Sequence, residues 1–330
     1  MKKALLIEVA AVAILLVLAI LLNLTVPDAP AQLAEPVQTE PVETFEDVDP
    51  EPDVEPEIIT WNTYPPTRAI SAQQYFVFSP DIEAYAVTAG EDLQTVYPAS
   101  ITKLFTAYVA LQYLPSDQYV TVSDAIHMAY PGSSVANLIE GSTLSVEELV
   151  AAMLLPSGND AAYVLAAEAG RVIAGDPDME TSQAVDKFVW CMNEMALTEG
   201  MMNTYFENPD GIHSEGHYTS FDDLVTIARL ALSEPVIRNY ASRSNLTVTT
   251  MEGDELQWHN TNELVDPNSE YYCPYAVGLK TGQTPSAGSC LLSAFQCDGV
   301  TLIVGVFGCP DETSRFDDSL QLFNQVMGFK

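Results

Sequence analysis

The chain has 330 residues, 48% of them hydrophobic, with 12 Lys and Arg against 46 Asp and Glu and a formal net charge of −34. That apolar content excludes disorder throughout and suits one large or two modest domains. The charge argues against a nucleic-acid partner, because few cations are available to replace the counterions of a phosphate backbone. In chain order, Lys2 and Lys3 precede an apolar run from Ala4 to Val26 broken by Glu8, Asn23 and Thr25. About 20 such residues span a bilayer, so residues 1–26 read as a signal peptide or an uncleaved signal anchor. The A-x-A site that follows the run, Ala29-Pro30-Ala31, lies well past it and contains a proline, which favours the anchor. Cytoplasmic Lys2 and Lys3 would leave the rest extracytoplasmic: membrane-anchored, or secreted if the segment is cleaved.

Residues 27–60 hold seven prolines, eleven acidic residues and no basic residue. Such a stretch cannot bury enough apolar surface to fold, and its like charges extend it, so it reads as a disordered linker, either a stalk or a plain spacer. Residues 61–330 read as the globular part. Ala72–Phe78 and Ala84–Val87 are short strands around a Ser79-Pro80-Asp81 turn. Ile101, Leu104, Phe105, Tyr108, Val109 and Leu111 recur at helical spacing over Ser100–Leu114. Ser145-Val146-Glu147-Glu148 is a capping box that opens a helix to Leu155. Ser157-Gly158-Asn159 breaks the pattern before a helix over Asp160–Ala169. Further helices lie near Ala184–Leu197 and, capped by Thr219 or Ser220, over Phe221–Leu232. Ala276–Thr281, Cys290–Phe295 and Thr301–Phe307 are strands, with Asp298-Gly299 turning the last two into a hairpin. Phe316–Phe329 closes the chain as an amphipathic helix. Strands from both chain ends around a helical middle predict an α+β fold, an antiparallel sheet packed against a helical cluster.

Five Cys without a CxxC pair and four His without HExxH give no metal or redox signature. Three short motifs carry chemistry instead. Ser100 and Lys103, three apart on a helix, share one face, where a neutral amine can take the proton of a hydroxyl nucleophile. The plain alternative is an N-cap serine and a solvated lysine. Ser157-Gly158-Asn159 is a turn, or else a hydroxyl and an amide presented into a cleft. Lys280-Thr281-Gly282 ends a strand with a snorkelling lysine. Alternatively, it offers a cation, a hydroxyl for a carboxylate and a glycine that lets a substrate backbone approach. Singly each is weak; S-x-x-K, S-x-N and K-T-G in this order are the signature of penicillin-binding proteins and class A β-lactamases.

Beyond these motifs the chain resembles the D-alanyl-D-alanine carboxypeptidases, the low-molecular-weight penicillin-binding proteins of the S11 peptidase type, from about Ala69 to Gly328. The likeness includes Tyr97–Lys103, Leu154–Ala162, Phe206-Glu207-Asn208-Pro209-Asp210-Gly211, His217, His259-Asn260-Thr261-Asn262, Gly278–Thr284 and Ser314-Arg315-Phe316. It implies the serine β-lactamase and penicillin-binding-protein transpeptidase fold. It also implies removal of the terminal D-alanine from peptidoglycan stem peptides ending in D-Ala-D-Ala through an acyl-enzyme, with β-lactams as covalent inhibitors and no metal or other cofactor. Under it Ser100 is the nucleophile and Lys103 its base, made neutral by burial and by the Lys280 cation. Ser157 relays the proton to the leaving amine, and Asn159 orients Lys103 and the substrate. The N–H groups of Ser100 and Gln283 form the oxyanion hole. Lys280, Thr281, Gly282 and Arg315 bind the substrate and its carboxylate.

Gln283 stands where many members have His, with little effect expected of a main-chain role. The further β-rich domain and C-terminal membrane helix of many relatives are expected to be absent. Cys290 and Cys309 lie on paired strands but not directly opposite, so no disulfide is assigned. His217 and His259 read as hydrogen-bonded structural residues. Two other functions stay in view. One is a β-lactamase, which needs a carboxylate-activated water; Glu207 lies in the right interval but reads as coincidence, since it belongs to the family's Phe206-Glu207-Asn208-Pro209-Asp210-Gly211 segment. The other is a non-catalytic wall-binding or β-lactam-sensing module.

Overall fold

Side-chain alternation along the strands explains how one sheet serves two cores. The computed structural model describes residues 69–90 and 95–329; the apolar segment and the acidic linker lie outside them. Strands β1 (Gln74–Ser79) and β2 (Ala84–Ala89) form a hairpin, and β7 (Ala276–Thr284), β8 (Gly288–Cys297) and β9 (Val300–Cys309) form a meander. Together they make an antiparallel sheet in the order β2-β1-β9-β8-β7, with β1 paired to β9. Asp298 and Gly299, at φ 50° and 80°, supply the left-handed pair that a tight β8–β9 turn requires. On one face Phe76, Leu292 and Ile303 join the main core; on the other Val77, Leu291 and Val304 join a second, smaller core.

The main core lies under the helices α1 (Thr102–Tyr113), α2 (Val146–Leu154), α3 (Asn159–Ala174), α4 (Thr181–Thr198), α5 (Phe221–Ser233) and α6 (Pro235–Ala241). Helix α7 (Ser314–Met327) covers the other face. The capping box at Ser145 and Glu148 forms as expected, with both reciprocal bonds present. Ser220, not Thr219, caps α5.

Several boundaries move for physical reasons. Ser100 precedes the helix proper, in a 3-10 turn over Ala99–Ile101. Lys280-Thr281-Gly282 does not end β7. Pairing with Leu292, Leu291 and Cys290 carries the strand through it to Thr284, although glycine carries no strand pattern of its own. Phe329 falls outside α7, because Gly328 at φ 72° ends the helix. Two ribbons, β3–β4 (Tyr119–Thr121, Thr143–Ser145) and β5–β6 (Asn245–Thr249, Glu255–His259), and helix α6 were not expected from the sequence. All are short and mostly half-exposed, so they leave little periodic signal. All five cysteines are buried free thiols, and Cys309 faces Ser289 rather than Cys290. Among the described residues no helix is long and apolar enough to cross a membrane.

Candidate active site

The nucleophile candidate is held by a strained turn. Ala99 has φ 48°, a left-handed conformation costly for a residue with a Cβ, and Ser100 follows it. Lys103, in the first turn of α1, is fully buried. Its Nζ donates to the main-chain carbonyl of Asp210 at 2.6 Å and lies 2.8 Å from Ser100 Oγ. Burial pushes the Lys103 pKa down to about 8, while the Asp210 and Asp160 carboxylates pull it back up. Repulsion between the two lysines is expressed on Lys280, which burial, then Lys103, then Arg315 push well below the ordinary lysine value.

The Ser157-Gly158-Asn159 turn joins α2 to α3. Ser157 is itself left-handed at φ 64° and nearly buried. A Cβ on Gly158 would lie 2.6 Å from the Ala152 carbonyl, so the turn has no room for a larger residue. Asp160 anchors it by accepting the N–H groups of Ala136 (2.8 Å), Leu138 (3.1 Å) and Ala161 (2.9 Å). Asn159 is buried and its Oδ1 has no hydrogen-bond partner. The expected orientation of Lys103 by Asn159 is not what the bonds show; the Asp210 carbonyl takes that place.

On β7, Gly278 and Leu279 are both left-handed, at φ 103° and 88°, where the strand bulges just before Lys280. Lys280 is buried, not snorkelling. Its Nζ donates to the Thr281 carbonyl (3.1 Å), Thr281 Oγ1 (3.3 Å) and Thr261 Oγ1 (3.4 Å). A Cβ on Gly282 would meet Pro98 O and Ala99 Cβ at 3.0 Å and Ser100 N at 3.3 Å. Glycine is therefore needed here for the strand to lie against the nucleophile turn, not merely to admit substrate. Gln283 is exposed and pairs with Ser289. Arg315, buried at the start of α7, reaches the Gly282 carbonyl at 3.5 Å.

The structure thus brings Ser100, Lys103, Lys280, Thr281 and Gly282 together. It ties in the Ser157 turn through Thr261, which donates its N–H to the Leu155 carbonyl and sets its hydroxyl 2.5 Å from Thr281 Oγ1. Ala99, Ser157 and Leu279 are three of six left-handed non-glycine residues among those described. Each sits in a motif or next to one, so backbone strain collects where the chemistry is. Thr261 and Asp210 had no role assigned from sequence. For Asp210 the available signal was the Asn-Pro-Asp-Gly run. A Cβ on Gly211 would stand 1.9 Å from the Ala99 carbonyl, so that run must pack on the nucleophile turn.

His217 is a buried structural residue. Its Nδ1 accepts from Glu207 N–H, which puts the proton on Nε2, 2.8 Å from Thr102 Oγ1. Burial pushes its pKa down to about 4. His259 departs from expectation: it is exposed at the end of β6, because alternation turns Leu256 and Trp258 inward. Glu207 is exposed and its carboxylate accepts from Ser214 within its own loop. Among the described residues no three His, Cys, Asp or Glu side chains are grouped to hold a metal ion.

Residues 62–311 match the model of the family described as peptidase S11, D-alanyl-D-alanine carboxypeptidase. The chain is similar to a D-alanyl-D-alanine carboxypeptidase of Streptomyces sp. strain K15, 31% identical over 234 residues, covering 68% of this chain and 77% of the relative. The solved Streptomyces K15 DD-transpeptidase aligns with TM-score 0.70 and 29% identity over 79% of this chain and 99% of that one. Penicillin-binding protein D2 of Listeria monocytogenes, solved with cefotaxime bound, aligns with TM-score 0.64 and 25% identity over 80% and 100%. The chain spans between about half and about three quarters of the length of the curated relatives it matches.

Proposed function

The chain belongs to the family of D-alanyl-D-alanine carboxypeptidases, serine-type peptidases, and from that premise we propose how it cleaves a peptidoglycan stem peptide ending in D-Ala-D-Ala. The observation that carries the reading is a buried Lys103 amine 2.8 Å from Ser100 Oγ, with its pKa pushed down to about 8. In its neutral form the amine donates one N–H to the Asp210 carbonyl and turns its lone pair to the Ser100 hydroxyl. Ser100 Oγ attacks the carbonyl of the penultimate D-alanine and Lys103 takes the proton. The N–H groups of Ser100 and Gln283 receive the oxyanion, each worth about 3 kcal/mol in such sites. The C–N bond breaks, Ser157 relays the proton held by Lys103 to the leaving D-alanine amine, and Thr281, Lys280 and Arg315 hold its carboxylate. Water then opens the acyl-enzyme, and β-lactams acylate Ser100 by the same attack.

Mass spectrometry after incubation with benzylpenicillin, and then with a D-Ala-D-Ala pentapeptide, tests this. A long-lived adduct on Ser100 with release of D-alanine supports it; rapid penicillin turnover would instead indicate a β-lactamase, and no adduct a binding module. A second reading, transfer of the acyl group to an amine, is favoured by the likeness to a structure named a DD-transpeptidase. Adding an amine acceptor to the pentapeptide assay separates hydrolysis from transfer.

We further propose that residues 1–26 anchor the protein in the membrane and that residues 27–60 hold the domain of residues 61–330 outside it. The length of the apolar run and the composition of the linker support this. The protein should pellet with membranes and resist high salt; recovery as a soluble form beginning near Gln32 would refute the anchor.

A further inference from the structure

The Asp210 side chain is a buried carboxylate that the acylation chemistry leaves unused. It is 1% exposed. Oδ1 accepts the Ile212 N–H at 3.1 Å, and Oδ2 has no hydrogen-bond partner. Leaving a buried carboxylate oxygen unpaired is costly, and such groups persist where something else depends on them. The residue cannot swing away. Thr106 Oγ1 holds the Pro209 carbonyl at 2.7 Å, and Asn208 both accepts the Gly211 N–H (2.7 Å) and donates to the Ile212 carbonyl (2.9 Å). Gly211 is wedged against the Ala99 carbonyl. The Asp210 carbonyl is at the same time the acceptor clamped on Lys103 Nζ. One residue of a fixed segment therefore contacts the proposed base through its carbonyl and carries a buried carboxyl group next to that contact.

We propose that Asp210 is a positioning residue whose carboxylate sets the proton affinity of Lys103, and with it the pH at which Ser100 becomes acylated. The inference rests on the reading of Lys103 as the base. Buried without a counter-charge, the amine would be too weak a base to hold the serine proton; beside a carboxylate it recovers part of its basicity.

Among the other groups around Lys103, only Asp160 acts in the same direction. Asp160 of α3 also favours the ammonium form, but its carboxylate is committed to three backbone N–H groups and braces the Ser157 turn. Lys280 of β7 is pushed below the ordinary lysine value by burial, then by Lys103 and Arg315, and His217 is held neutral by burial. Tyr163 of α3 is raised by burial and then by the Asp210 charge.

The test is the rate of acylation by benzylpenicillin as a function of pH. Asp210→Asn removes the charge and keeps the shape, so the acid limb should move down by roughly one pH unit, the scale of one nearby charge. Asp210→Glu retains the charge and should leave the limb near its wild-type position. A uniform fall in rate with the limb unmoved in Asp210→Asn would mark the residue as merely structural and overturn the inference. If the variants do not fold, 13C NMR of labelled lysines in the wild-type protein decides the matter. The Lys103 Cε signal should show a second inflection where Asp210 titrates, and a single inflection overturns the proposal. A wild type that forms no penicillin adduct would sink the acylation reading, while the NMR titration would still judge Asp210.

Discussion

The two faces of the five-stranded sheet have different interiors. Under α7, the Phe295 and Phe323 rings stack 4.3 Å apart at 13°, and Phe316 packs on Tyr271. The buried charge on that side, Asp318, is fully engaged: it accepts from Ser71 N (3.0 Å), Ser71 Oγ (2.7 Å) and Ala72 N (2.8 Å), tying the start of the domain to its last helix. Toward the helical cluster and the β7 edge, the interior holds two buried lysines without a salt bridge, the unpaired Asn159 Oδ1 and Asp210 Oδ2, and three strained residues. The first face also leaves Ser319 Oγ and Arg315 Nε on α7 without partners, but it holds neither buried lysine and none of the three strained motif residues. The second concentrates the two buried lysines and the strained backbone, at about 1–3 kcal/mol for each strained residue, which the rest of the fold must offset.

If that division is real, activity and stability should separate by face. The largest effect is expected of Ser100→Ala, which should abolish penicillin labelling while leaving the melting temperature near wild type; labelling at the wild-type rate would remove Ser100 from the chemistry. On the opposite face, Phe323→Ala should cost about 3–5 kcal/mol in denaturant unfolding, the usual loss for a buried phenyl ring. Activity per folded molecule should stay unchanged, and if it falls in step with stability the faces are not independent.

Lys280→Ala should slow acylation by carboxylate-bearing substrates by about 100-fold, the scale of one preorganised electrostatic contact. A lowered melting point with intact activity would show a structural lysine instead. The pH profile sharpens the same point. The reactive form of Lys103 is neutral and its pKa is about 8, so acylation should rise with pH through that value, by about tenfold from pH 7 to 9. The stability sign agrees. An unfolded lysine holds its proton to about pH 10.4, so above pH 8 the folded state binds fewer protons and this group's burial penalty fades as pH rises toward 10. A rate flat across pH 7–9 would exclude Lys103 as the base. The smallest effect is that of Ser145→Ala, remote from both faces' chemistry. Loss of the capping bond to Glu148 N–H should cost about 1 kcal/mol in unfolding, with acylation unaltered.

Much of this was legible in the chain. The 3.6-residue period of Ile101, Leu104, Phe105 and Tyr108 and the capping box at Ser145 are local, and both appear where the pattern puts them. The Asp298-Gly299 turn also fixed the pairing of the last two strands. The small ribbons and α6 escaped because their stability comes from docking rather than from a buried stripe of their own. The exposed His259 followed from strand alternation in a ribbon that was not foreseen.

The sequence by itself determined the sheet-and-helix architecture, the order of the three motifs and the family, because periodicity, turn chemistry and short motifs are encoded by neighbours along the chain. Only the tertiary structure decided that Lys280 is buried without a carboxylate, that Gly282 and Gly211 are small because the nucleophile turn presses on both, and that Asp210 rather than Asn159 holds Lys103. Those facts depend on contacts between residues more than 100 positions apart in the chain, such as Lys103 with Asp210. The proton affinity of a buried amine is set by the desolvation and charges that such contacts create, and no local pattern records them.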